Sequence, residues 1–323
     1  MSAAAIINKD LPSLLRETAQ RMPTATAIDF AGRKTSFAEF DQASDRVAGA
    51  LAAQGIEPGE RVALYCVNSD AFAQAYMGIV KAGATVVPIN LLLNPKEIEY
   101  IINDAEAKAL IYHEAFAEAV GQFRAKTPSL SFAVHIGQGA ADEADLDWAA
   151  WLGFAGDIPA PAVDPADDVV SILYTSGTTG KPKGAMLTHR NLANNTQSVV
   201  DALKLEPGRE RILVVLPMFH AFAATVGMLT PLLHGLTMLP VPKFDPNLVA
   251  DTVEAGGATV FLGVPSMYNV LLNLPDEGVR KFASLKYCVS GGAAMPVEIM
   301  QRFENRFDVP VYEGDGPTEC SPV

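Results

Sequence analysis

Short apolar runs alternating with helical patterns dominate this chain. The runs at 61–67 (RVALYCV), 84–90 (ATVVPIN), 108–113 (KALIYH) and 131–137 (SFAVHIG) are bounded by polar or turn-forming residues. Each has the length and β-branched content of a buried strand. Helices fit between them. Ser69 can cap one that runs to Lys81, with Gly83 as its stop. Asn94, Pro95 and Glu97 have the spacing of a capping box, opening a helix to about Asp104. Leu11, Leu14, Leu15 and Thr18 recur at helical spacing and predict a short amphipathic helix.

Residues 141–168 are acidic and rich in Ala and Pro, so they read as a surface connection with a short helical piece at 148–151. The alternation then resumes. A strand is expected at 169–175 (VVSILYT), and a helix carrying Leu192, Thr196, Val199, Val200 and Leu203. Further strands are expected at 211–217, 236–241, 258–263, 285–292 and 309–314, with helices opened by Asp245–Pro246 and after Pro265 and Pro296. Apolar strands separated by helices predict an α/β fold of layered, mostly parallel sheets flanked by helices.

From 212 to 242 the chain has no Asp, Glu, Lys or Arg. That is long enough to cross a bilayer. Pro217, Pro231, Pro240, Pro242, His220, His234 and Gly235 interrupt it, so it reads as strand, buried helix, strand.

Composition adds limits. A chain of 323 residues suggests two lobes, and 49% apolar content supports a large core. The net charge of -13 argues against a nucleic-acid-binding surface. It leaves room for an anionic ligand, which a local nest of N–H groups can hold. Cys66, Cys288 and Cys320 are odd in number and far apart, as expected of reduced thiols in a cytoplasmic protein. The first residues lack the basic start and apolar core of a signal peptide.

In open α/β sheets, ligands collect at the carboxyl ends of strands. Three polar or glycine-rich segments are expected there: 175–184, 290–294 and 313–319. The first lies in YTSGTTGKPKGAMLTHRN, which follows a buried strand and precedes a helix. Ser176, Thr178 and Thr179 offer hydroxyls, and Gly177, Gly180 and Gly184 let backbone N–H groups approach a ligand. Lys181 and Lys183 add positive charge. That combination suits a polyphosphate. It is not a Walker A loop, because Thr175 stands where that pattern needs Gly and Pro182 where it needs Ser or Thr.

This stretch resembles the signature of the adenylate-forming enzymes: acyl-CoA synthetases, aryl-CoA ligases, luciferases of the firefly type and peptide-synthetase adenylation domains. NLLLNPKEIEYIINDAEAKALI, LPMFHAFA, VSGGAAMP and YEGDGPTE resemble further segments of that family, in the expected order. The resemblance implies that a carboxylic acid is joined to ATP, giving an acyl-adenylate that coenzyme A then attacks to release AMP. Thr175, Ser176, Gly177, Thr178, Thr179, Gly180 and Lys183 would cover the ATP phosphates, and Thr178, Lys183, His220 and Glu319 would have catalytic roles.

Gly291, Gly292 and Ala293 would line the nucleotide, together with Gly314, Asp315 and Gly316. Thr318 would bind phosphate, and Glu319 would hold Mg²⁺ as a hard oxygen ligand. On residues alone, SGGA reads equally as a tight turn, and TE as an ordinary exposed pair. His220 would line the acid pocket with Phe222, Gly263 and Gly291; alone it also reads as a core or helix-start histidine. No acid stands between His220 and Asp245, so an uncharged acyl tail fits better than an amino acid. The stretches VGMLTPLL and FLGVPSMYNVLL would supply an apolar tunnel, although their methionines read equally as core.

Two departures stand out. The family has an aromatic residue, mostly Tyr, at Asp315, where its ring stacks on adenine. Family members also continue well beyond 323 residues, through a ribose-binding Asp and a small domain with a catalytic lysine. The resemblance therefore implies part of a large N-terminal domain, with one lobe over roughly 45–200 and another over roughly 1–44 plus 201–323. The expectation is a fatty acid–CoA ligase whose present stretch is inactive alone. Alternatives are a degenerate acyl- or nucleotide-binding module and an aryl-acid ligase. The same resemblance admits peripheral membrane contact and a homodimer.

Overall fold

The computed structural model describes residues 9–175 and 180–321. The chain enters through a helix, Leu11–Arg21, capped by the Asp10 side chain, and buries Leu11, Leu14, Leu15 and Thr18 as the spacing predicts. An antiparallel pair follows, β1 (Thr26–Phe30) and β2 (Arg33–Ser36).

A seven-stranded sheet comes next in sequence: β3 (Arg61–Tyr65), β4 (Thr85–Pro88), β5 (Ala109–His113), β6 (Phe132–Ile136), β7 (Leu146–Asp147), β8 (Val169–Thr175) and β9 (Lys183–Thr188), in the order β7-β6-β5-β3-β4-β8-β9. All its neighbours are parallel except β8 and β9. The second sheet is built from β10 (Arg211–Val214), β11 (Thr237–Pro240), β12 (Val260–Gly263), β13 (Tyr287–Ser290) and β14 (Val311–Glu313). It recruits the first two strands, giving β14-β13-β12-β10-β11-β1-β2.

Most strands fall inside the predicted runs. The sheets bury nearly all of β3, β4, β5, β10, β11 and β12, as parallel strands covered on both faces require. Ser69 caps Asp70–Lys81, and Asn94 with Glu97 closes a capping box on Pro95–Asp104. The short helix in the acidic connection is Trp148–Leu152.

The phosphate-loop stretch lies between a strand and a helix as expected, but it contains a further strand that the sequence reading does not show. Lys183 to Thr188 turns back as β9, antiparallel to β8 with Thr175 opposite Lys183, and the helix begins only at His189. The described residues 180–182 lead directly into β9. The apolar stretch at 212–242 is strand, buried helix, strand: a π-helical segment Ala223–Leu229 runs into Thr230–His234 between β10 and β11. Among the described residues, no helix is long and apolar enough to cross a membrane.

One apolar core runs under the first sheet, through Phe37–Ala53 and Asp70–Lys81, and on to the π-helical segment. Lys81 lies wholly buried inside it. Its ammonium meets the carboxylates of Asp41 at 2.5 Å and Asp45 at 2.8 Å and the carbonyl of Asp41 at 2.8 Å.

Candidate active site

The carboxyl ends of β8, β10, β13 and β14 converge on two neighbouring cavities, and His220 lines both. The first, of about 480 Å³, lies beside the end of β8 and the residues 180–182 that lead into β9. Its walls include Thr175, Gly180, Lys181, Pro182, His220 and Thr318. The segment 180–182 is braced from outside: Tyr100 donates its hydroxyl to the Pro182 carbonyl at 3.4 Å, and the Lys181 ammonium lies 5.7 Å from the Tyr100 ring centre. Tyr174 donates to the Asp104 carboxylate at 2.7 Å.

The second cavity, of about 350 Å³, is mainly apolar. Val199, Ala202 and Leu203 line it from the helix His189–Leu203, with Phe222, Val226 and Val289 beside them. Gly291, Gly292, Gly314, Asp315 and Gly316 form its glycine-rich side. Space is tight at Gly291, where a Cβ would lie 3.0 Å from the Phe222 ring and 3.2 Å from the Gly314 carbonyl oxygen. At Gly292, φ is +76°, a conformation L side chains rarely adopt. The turn is pinned to β14: the Glu313 carboxylate accepts the Met295 N–H at 2.8 Å, and Gly314 N–H donates to the Ser290 carbonyl at 2.8 Å.

His220 is accessible because both cavities open on it, yet the protein around its ring lowers its pKa from the usual 6.5 through burial. Nδ1 accepts the Phe222 N–H at 3.4 Å, so the proton of the neutral ring sits on Nε2 and remains available for donation. Across from it, the Thr225 hydroxyl donates to the Ser321 carbonyl at 3.2 Å, tying the turn Thr318–Cys320 to the π-helical segment.

Of the residues expected from sequence, Thr175, Gly180, His220 and Thr318 share the polar cavity. His220, Phe222, Gly291, Gly292, Gly314, Asp315 and Gly316 share the apolar one. Ser176, Gly177, Thr178 and Thr179 lie outside the described residues. Lys183 is exposed at the start of β9, opposite Thr175. Ala293 and Glu319 are exposed. Gly263 ends β12 beside Ser290, with the Phe261 and Tyr268 rings closed against it.

The sequence reading misses the wall from Ser198, Val199, Ala202 and Leu203, although their spacing marks one helix face. Of the two apolar stretches proposed for a tunnel, Val226 reaches the cavity, while Met228, Leu262 and Tyr268 are core. A larger cavity, about 670 Å³, lies at the start of β3, β4 and β8. Polar groups on its wall are engaged with neighbours: Arg61 with Glu106, Thr85 with the Val169 carbonyl, and Tyr174 with Asp104. Although Tyr174 and Gly184 reach its wall, it opens at the amino ends of these strands, so the site is placed at the other two.

The pattern of the AMP-binding enzyme family matches residues 15–323. The chain belongs to the AMP-binding enzyme family. It is 32% identical to a long-chain-fatty-acid–CoA ligase of Bacillus subtilis, over 98% of this chain and 61% of that protein. It is 34% identical to a feruloyl-CoA synthase of an Amycolatopsis species, over 98% and 60% respectively. The fold superposes on the anthranilate CoA ligase AuaEII in complex with anthranoyl-AMP with a TM-score of 0.90 at 28% identity, covering 99% of this chain and 62% of that one. It superposes on the N-terminal domain of FACL13 from Mycobacterium tuberculosis with a TM-score of 0.87 at 29% identity, covering 97% and 77%. The chain thus spans about three-fifths of the curated relatives it matches.

The site's residues fit a nucleotide's phosphates: Thr175, Thr318 and Lys181, which carry two hydroxyls and an ammonium, line one cavity. Among the described residues, no group of three or more His, Cys, Asp or Glu could hold a metal ion. One carboxylate, Glu319, therefore fits Mg²⁺ only as a companion of bound phosphate, which is how that ion is commonly held.

Proposed function

We propose that this chain is the acid- and ATP-binding part of an acid–CoA ligase that activates a fatty acid as its acyl-adenylate. The observation that carries the reading is the position of His220 between an apolar cavity and a polar one. An acyl tail enters among Val199, Leu203, Phe222 and Val226, and its carboxylate emerges beside His220. The Nε2–H can donate to that carboxylate as it nears the α-phosphate. Bringing two anions together is the main barrier, so positioning and charge stabilisation are the protein's contribution. Thr175, Lys181 and Thr318 receive the phosphates from the opposite side, with Lys183 and residues 176–179 proposed to cover them. Mg²⁺ beside Glu319 would supply further charge neutralisation.

The aryl-acid reading is the second one. It is favoured by the Phe222 and Tyr312 rings on the apolar wall and by the feruloyl-CoA synthase relative. Thermal-shift titration separates the two: alkanoic acids of increasing length should raise Tm more than benzoate and cinnamate do. Larger shifts with the aryl acids would reverse the assignment. Shifts with neither class, nor with ATP or AMP, would sink the proposal. Transfer to coenzyme A is proposed for the whole ligase. For the present stretch, which covers about three-fifths of its relatives, pyrophosphate release from ATP and fatty acid is expected to stay at background.

A further inference from the structure

Asn68 follows β3 in the first sheet, is 4% exposed, and directs its side chain into the second sheet. Its Nδ2 lies 2.9 Å from the Leu216 carbonyl, 3.2 Å from that of Val241 and 3.3 Å from that of Val214, and donates to them. Its Oδ1 accepts the Met218 N–H at 2.8 Å. One carboxamide therefore gathers the end of β10, the residue following β11 and the segment leaving β10. That segment runs directly to His220, whose own N–H donates to the Pro217 carbonyl at 2.9 Å. The His220 carbonyl in turn accepts the Ala224 N–H at 2.9 Å, where the π-helical segment begins. Between Val214 and Ala224 the backbone is thus fixed on one side by Asn68 and on the other by the helix start.

We propose that Asn68 is a positioning residue: it sets His220 at the wall between the two cavities, and through His220 it tunes acid binding. The second clause rests on the acid-pocket reading given above; the first does not. The side chain is suited to the task because its carboxamide carries two donors and an acceptor on one rigid plane, held closer to the backbone than that of Gln. Asp at this position would face three carbonyl oxygens with an acceptor-only group. Ala would leave buried carbonyls and an N–H without this partner, a loss the neighbouring backbone can meet only by moving.

The test uses this chain with ¹³C-labelled histidine, as wild type, Asn68→Ala and Asn68→Ser, each also in a His220→Ala background. The His220 resonance is assigned by its loss in His220→Ala. In the Asn68 variants it should shift, and its titration midpoint should move up towards the ordinary 6.5. The resonance of His234, buried in the same half of the fold and bonded to Thr196, should stay in place. Dodecanoate affinity should fall about tenfold in the His220 background and change little in the His220→Ala background, as coupled residues require. Asn68→Ser keeps a small hydrogen-bonding group, so one folded variant remains if Asn68→Ala unfolds.

An unmoved His220 resonance in a folded variant would overturn the proposal, as would equal affinity losses in both backgrounds. Equal movement of His220 and His234 would do so too, since it signals general loosening. If His220 moves alone while dodecanoate binds His220→Ala as well as wild type, the positioning role stands and the acid-pocket reading fails.

Discussion

Asp315 puts an exposed carboxylate on the glycine-rich side of the apolar cavity, not on the helix wall proposed for the acyl tail, and there the family resemblance calls for a ring. A carboxylate cannot stack on adenine and repels phosphate. Asp315→Tyr should therefore tighten ATP binding by roughly 5- to 150-fold, the equivalent of the roughly 1–3 kcal/mol that base–aromatic stacking is worth. Calorimetric titration of both chains checks this, and equal affinities would show that the adenine lies elsewhere. At Gly291 the limit is steric. Gly291→Ala adds a methyl against the Phe222 ring and a backbone carbonyl, so it should weaken dodecanoate binding several-fold through the narrowed floor. Unchanged affinity would remove Gly291 from the acid pocket.

At this scale the glycines, His220 and Thr318 were legible, because glycine-rich ends after apolar strands carry a strong signal. Leu203 and Val199 were not legible, since an apolar helix face looks the same whether it meets a core or a cavity.

Among the elements, the strands were readable as apolar runs and several helices through their caps. The helix Phe37–Ala53 was missed, although Ser36 and Glu39 close a capping box on it. The strand β9 was missed because KGAMLT reads as loop until its antiparallel partner is known. Nothing local marks the π-helical segment, where Thr230 N–H and Oγ1 both reach the Thr225 carbonyl.

Two predictions belong to these contacts. Lys81 joins Phe37–Ala53 to Asp70–Lys81 through Asp41 and Asp45. Lys81→Met should cost about 3 kcal/mol in urea denaturation, because it takes the cation from the Asp41 carboxylate and leaves Asp45 only the longer pairing with Arg16 at 3.5 Å. A loss below about 1 kcal/mol would mean the pair relaxes to solvent at little cost.

His189 and His234 anchor the helix His189–Leu203 and its neighbours: His189 Nδ1 accepts the Leu11 N–H at 3.3 Å, and His234 Nε2 lies 3.0 Å from the Thr196 hydroxyl. Burial lowers both pKa values to about 4, against the weaker opposing pull of Asp10 and Asp168 on His189 and of Asp201 on His234. The folded state favours the neutral rings, so their contribution is complete above pH 6.5 and lost as pH falls towards 4. Between pH 7 and pH 5 each should remove about 2 kcal/mol of stability. Urea denaturation at the two pH values measures it, with His234→Gln expected to halve the difference. A pH-independent midpoint over that range would contradict the assignment.

Across the whole molecule, the site exists because two sheets present their strand ends to each other. The alternation of strands and helices made that layout legible. The resemblance grouped residues 1–44 with the second lobe, but the sequence pattern did not mark β1 and β2 as strands of the second sheet, because a four-residue polar strand such as Arg33–Ser36 carries almost no periodic signal. Nor could it show the Asn68 contacts, which join residues far apart in sequence. The central claim is that one ligand can occupy both cavities past His220. Calorimetric titration of this chain with a fatty-acyl sulfamoyl adenosine, a stable mimic of an acyl-adenylate, tests that most directly. The account predicts one site per chain, affinity above that of either AMP or the free acid, and a loss of about tenfold in His220→Ala. Binding no tighter than AMP alone, or unaffected by His220→Ala, would contradict it.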